Sequence, residues 1–255
     1  EEAKTQTFDF PTEIVELPSK GKFYPEGHPL KTGQIEMKYM TAKEEDILTN
    51  QSYIKSGVVI DKLLQALIVT PINFGDLLLG DKNAIMIAAR VLGYGKDYQA
   101  KVNDNDANTQ EVTFDLTQLE DKKIDWSYFD KEDAFTYELP ASKRTVKVKL
   151  LTHSDQKKID QELKGLQKLK KGSAELTTRL KHTIISVDGE DDNIKVRKFV
   201  DNELLAIDSR ALRKFVGSIT PDVNLSIDAV SEETGEPFRS KFSIGLDFFW
   251  PDAEI

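Results

Sequence analysis

The sequence predicts an α+β fold made of two related halves, each a helical cluster with an opening strand and a β-hairpin. Three observations carry this prediction. A strand-like stretch runs into a capping box twice, at Thr41-Ala-Lys-Glu44 and at Thr152-His-Ser-Asp155. Apolar residues at helical spacing follow, as in Ile60, Leu63, Leu64 and Leu67. Each half then ends in two β-prone runs around a polar tip, residues 98–116 in the first and 223–248 in the second.

Taken in order, residues 8–17 are β-forming, and Leu17-Pro-Ser-Lys-Gly-Lys-Phe-Tyr-Pro25 is punctuated as a turn by Pro18, Gly21 and Pro25. Residues 34–40 alternate Ile35, Met37 and Tyr39 against Glu36 and Lys38, the pattern of a half-buried strand. Helices are expected from the first capping box to about residue 55, over 58–69, and over 81–92 with a stop at Gly93 and Gly95. In the second half a strand is expected over 145–151. The helices there lie within 153–219: one to about residue 169, one over 176–187 and one over 209–219.

The halves also match residue by residue in one place. Asp76-Leu-Leu-Leu-Gly-Asp81-Lys-Asn-Ala84-Ile lies against Glu203-Leu-Leu-Ala-Ile-Asp208-Ser-Arg-Ala211-Leu, which reads as a degenerate duplication. The join falls between Thr117 and Lys131, giving domains of 1–120 and 121–255.

Composition narrows the chemistry. The absence of cysteine removes disulfides, thiolate zinc sites and cysteine nucleophiles. A net charge of −9 argues against nucleic-acid binding, and the basic run over 164–171 alternates with leucines as the wet side of a helix. The longest apolar stretch, residues 57–70, is broken by Asp61, Lys62 and Gln65, so no membrane insertion is expected. Asp104-Asn-Asp106-Ala-Asn108 has the first ligand positions of a calcium loop but lacks its glycine and its final glutamate, and reads as a solvated turn. The acids over 188–193 read as an exposed loop. His28, His153 and His182 sit in ordinary turn or helix positions, and no serine has a nucleophile elbow around it. An enzyme would have to use acids such as Asp81 and Asp208 in a cleft between the halves. Capping a helix start accounts for both more simply.

Lys22-Phe23-Tyr24-Pro25 and Phe248-Phe249-Trp250-Pro251 set large rings beside prolines. Phe23, Tyr24, Pro25, Phe248, Phe249 and Trp250 are therefore candidate docking anchors for a neighbouring subunit, with a core edge as the plainer reading. On the docking reading, Tyr24→Ala or Trp250→Ala weakens partner binding and leaves the monomer folded.

The segments Glu16-Leu-Pro-Ser-Lys-Gly-Lys-Phe-Tyr-Pro25 and Gly33-Gln-Ile-Glu-Met-Lys-Tyr-Met-Thr-Ala-Lys-Glu-Glu-Asp46 resemble the opening of the T4-type bacteriophage baseplate proteins. Asp76 to Asp81, Ala89-Arg90, Tyr94-Gly95, Asp208 to Arg213, Pro221-Asp222 and Phe248 to Asp252 continue the resemblance over nearly the whole chain. It implies a non-enzymatic protein of the baseplate hub in a contractile phage tail, either a virion subunit or a hub-assembly chaperone that leaves. The implied partners are other hub or tail proteins, and the implied locations are the tail baseplate and, during assembly, the host cytoplasm. An acidic chaperone would suit basic partner surfaces. The resemblance also implies Cys-x-x-Cys pairs in the two hairpin tips of many members, which would suit a zinc knuckle. Without cysteine this chain is expected to use no cofactor, and hairpin packing or a partner surface has to replace the metal's contribution.

Overall fold

The structure is a computed structural model and describes residues 11–169 and 174–249. Its fold is α+β, as the sequence predicts, and its contacts divide it into two compact units. The first takes in the chain up to Ile72, then Gly80–Lys122, then the residues from Asp222 on; the second takes in Asn73–Leu79 and Lys123–Pro221.

In the first unit, β1 (Thr12–Glu16) pairs antiparallel with β2 (Gln34–Lys38), with Val15 opposite Ile35. The turn between them is close-packed. Leu17 N–H donates to the Gly33 carbonyl at 2.8 Å, and Gly21 and Gly33 both have positive φ. A Cβ on Gly21 would lie 2.3 Å from the Lys31 carbonyl oxygen, so this glycine is required by space as well as by conformation.

Three helices follow: α1 (Ala42–Leu48), α2 (Gln51–Ser56) and α3 (Val59–Leu67). The single helix expected to residue 55 is thus two. Asn50 breaks it by accepting the N–H groups of Ser52 and Tyr53 at 3.1 Å and starting a new helix. On α3, Val59, Leu63, Leu64 and Leu67 are the buried face. α4 (Leu79–Tyr94) runs through Gly93 and ends where Gly95 takes φ +86°. Beyond it, β3 (Asp97–Asn103) alternates buried Tyr98, Ala100 and Val102 with exposed neighbours and pairs with β4 (Thr109–Asp115).

The second unit has a three-stranded antiparallel sheet: β5 (Thr136–Glu138), β6 (Thr145–Val148) and β7 (Ile184–Val187), in that order. Around it lie α5 (His153–Lys168), α6 (Glu175–Thr183), α7 (Asn193–Asn202) and α8 (Ala206–Ile219). Leu139, Val146, Val148, Leu180, Ile184, Phe199 and Leu212 form its core. Two expectations are corrected here. The helix foreseen over 176–187 stops at Thr183, because Ile184-Ile-Ser-Val187 pairs with β6 and adds two side chains to the core. The acidic run after it is not all loop: Asp192 accepts the Lys195 N–H at 3.0 Å and starts α7, which the sequence reading missed.

After Pro221 the chain is back in the first unit, with β8 (Ser226–Val230) paired to β9 (Pro237–Lys241). Among the described residues, no helix is long and apolar enough to cross a membrane.

Candidate functional site

The two acids singled out by the duplicated pattern are both fully buried, Asp81 on α4 and Asp208 on α8. Neither is explained by the helix cap expected of it, because each accepts hydrogen bonds from a distant turn. Asp81 accepts the Ser19 N–H at 2.9 Å and the Tyr24 hydroxyl at 2.7 Å. Asp208 accepts the N–H groups of Ala141 at 2.7 Å and Ser142 at 3.0 Å. Each thus ties down a Leu-Pro turn, at Leu17-Pro18 and at Leu139-Pro140. Burial pushes the Asp81 carboxyl above its ordinary range despite those donors. Burial acts on Asp208 in the same sense, but there the backbone N–H groups prevail and its pKa is lowered.

The capping boxes correspond as well. Glu44 accepts from the N–H of Thr41 at 3.0 Å and from Lys38 Nζ at 2.8 Å. Asp155 accepts from the N–H of Thr152 at 3.1 Å and from Lys149 Nζ at 2.7 Å. Burial opposes the Glu44 charge, yet the hydrogen bonds from Lys38 and Thr41 outweigh it and hold the pKa at about 2.

Of the six candidate anchors, Tyr24, Phe248 and Phe249 are buried, which is where the core-edge reading puts them. Phe23 is half-buried, Pro25 is exposed, and Trp250 lies outside the described residues. Arg90, buried on α4, holds Phe248 in place: its Nε donates to the Phe248 carbonyl at 3.0 Å while its guanidinium lies over the rings of Tyr94 and Tyr98. Tyr98, Phe114, Phe242 and Phe248 form one aromatic cluster around it.

The two hairpin tips are joined directly. Asp104 accepts the Ser231 hydroxyl at 2.7 Å and the N–H groups of Asp106 and Asn108 at 3.0 and 2.8 Å. Gln110 donates to the Val230 carbonyl at 2.9 Å and accepts the Glu232 N–H at 3.0 Å. Asp104 itself is buried, while residues 105–109 of the turn are exposed, as expected of a solvated turn. These residues do not fit the zinc that the resemblance implies in many members. They offer no thiolate or imidazole, and both oxygens of Asp104 already accept hydrogen bonds.

The histidines have structural surroundings. His28 accepts the Leu30 N–H and stacks on Tyr24, His153 packs edge-on against Phe74, and His182 meets Glu162 at 3.1 Å. Among the described residues, no three His, Asp or Glu side chains gather as a metal site.

Sequence reasoning missed a groove of about 670 Å³ in the first unit. Four consecutive residues of β1 line it, Glu13, Ile14, Val15 and Glu16, together with Ile87 and Val91 of α4 and with Leu116, Leu119, Asp121 and Val223. Its lining mixes apolar side chains with carboxylates.

The family described as T4 bacteriophage base plate protein matches residues 10–250. No curated protein and no solved structure matches the chain. The family match takes in both units, including the turns held by Asp81 and Asp208 and the joined hairpins, and on that span the chain belongs to the T4 bacteriophage base plate protein family.

Proposed function

We propose that the chain is a non-enzymatic protein of the baseplate hub of a contractile phage tail, working through contacts with other hub or tail proteins. The observation that supports this reading is the family match over 10–250. The two buried carboxylates fit the same reading, since both engage the protein's own turns.

The paired details support a duplicated building block. Glu16-Leu17-Pro18 answers Glu138-Leu139-Pro140, the box at Lys38, Thr41 and Glu44 answers Lys149, Thr152 and Asp155, and Asp81 answers Asp208. We infer that both halves descend from one strand–turn–strand–helix unit whose turn was held by an aspartate on a later helix.

Quantitative mass spectrometry of purified particles tests the functional reading by counting copies of this chain against the other baseplate proteins. A fixed small number per particle is the expected result. Abundance in infected cells with near absence from particles makes it a transient hub-assembly chaperone, and absence from both overturns the reading.

A further inference from the structure

We propose that the groove beside β1 receives an extended segment of a partner protein, added to the open edge of β1 as a third strand, with apolar residues alternating with lysine or arginine.

The backbone assigns the edge. Tyr39 N–H donates to the Pro11 carbonyl and Leu17 N–H to the Gly33 carbonyl, so the odd-numbered residues of this strand bond inward to β2. The N–H and C=O groups of Thr12, Ile14 and Glu16 then point away from β2, by the alternation of an antiparallel ladder. Among the described residues, β1 pairs with β2 alone. Because four consecutive residues of β1 line the groove, it is the strand's edge and not one face that borders it. Ile14 is 57% exposed there, and β1 itself carries no lysine or proline of the kind that usually blunts an edge.

Shape and charge select the occupant. A strand supplies backbone donors and acceptors to an open edge, whereas a helix has already used its own. Ile87, Val91, Leu116 and Leu119 accommodate apolar side chains at alternate positions of such a strand. Glu13, Glu16 and Asp121 line the groove, and among the described residues no lysine, arginine or histidine does. Glu13 and Glu16 are met by neutral donors, Tyr39 and Gln34. Burial raises the Asp121 carboxyl, with Lys20 opposing that shift and Asp222 adding to it, so the charge selection rests on Glu13 and Glu16. A second copy of this chain would bring its own Glu13 and Glu16 against these acids, so edge-to-edge pairing of two copies is disfavoured.

Only the source of the segment, a baseplate partner, rests on the proposed function; the groove chemistry stands without it. The probe is a fluorescent peptide, Lys-Val-Lys-Ile-Lys-Val-Lys, titrated onto the chain at low salt and followed by anisotropy, with Glu-Val-Glu-Ile-Glu-Val-Glu as control. The lysine peptide should bind at least about tenfold more tightly. Ile14→Pro removes an N–H that faces away from β2, so it should abolish binding with an unchanged melting temperature. If that variant unfolds, amide exchange on the wild type decides: the peptide should slow exchange at Thr12, Ile14 and Glu16. Equal binding of the two peptides, binding unaffected by Ile14→Pro, or unchanged exchange at those amides overturns the proposal. So does a dimer of the chain that Ile14→Pro dissolves. Failure here with a fixed copy number in particles removes the groove proposal alone, while peptide binding by a chain absent from particles and from infected cells removes the baseplate reading alone.

Discussion

Asp81 and Glu44 show how two buried acids in one unit respond to pH with opposite sign. Asp81 is raised by burial, so its ionised form disfavours the folded state. Wild-type stability should fall relative to Asp81→Asn as pH rises through the carboxylate range. Asp81→Ala is worse at every pH, because it strands the Ser19 N–H and the Tyr24 hydroxyl in the interior. Denaturant titration should show a loss of about 2–4 kcal/mol. Glu44 is lowered to about 2, so its contribution is present above the ordinary carboxylate pKa and fades as pH falls toward 2. Glu44→Gln should cost about 1–2 kcal/mol at neutral pH and almost nothing near pH 2, read by thermal melts across that range. Tyr24→Ala, which the docking reading expects to leave the fold intact, should instead destabilise the monomer, since this ring is buried and holds Asp81. The partners of Asp81 and Asp208 lie 62 and 67 residues away, beyond any local pattern. The recurrence of Glu-Leu-Pro at residues 16 and 138 was nevertheless in the sequence and marks both turns.

At the level of elements, the capped helices were legible because a capping box is a local device written in four residues. Short pieces were not. Ile184-Ile-Ser-Val187 is an apolar run that suits a helix or a strand, and only Val146 and Val148 across the sheet decide. α7 has Val196, Phe199 and Val200 at helical spacing, but the acids in front of it read more strongly as loop. The edge of β1 was equally hidden: a half-exposed strand looks the same in sequence whether one neighbour pairs with it or two. Gly21 tests the turn between β1 and β2. Gly21→Ala forces a Cβ into the Lys31 carbonyl and an unfavourable φ, and should lower stability by about 2–4 kcal/mol in chemical unfolding. Phe199→Ala should cost about 3–5 kcal/mol through the cavity it opens in the other unit's core.

Across the whole molecule, sequence position and structural unit part company. The chain leaves the first unit at Lys122 and returns at Asp222, and the two ends are held together there. Lys122 N–H donates to the Asp222 carbonyl at 2.8 Å, Asn224 N–H to the Glu120 carbonyl at 2.8 Å, and Asn83 to the Asp222 carboxylate at 2.9 Å. β8, β9, Phe248 and Phe249 then complete a unit begun at β1. Such long-range closure is slow to find and leaves no periodic trace in the sequence. This return fixes the order in which the protein can mature on a ribosome. Residues 73–79 and 123–221 have all been translated before Asp222 appears, so the second unit can fold while the first still lacks Val223 from its groove and Phe248 from beneath Arg90. A nascent or prematurely terminated chain that stops short of Asp222 therefore presents bare aromatic surface and an unfinished groove. It would be matter for chaperones and proteases, while entry into an assembling tail would be reserved for chains that have been read past that point.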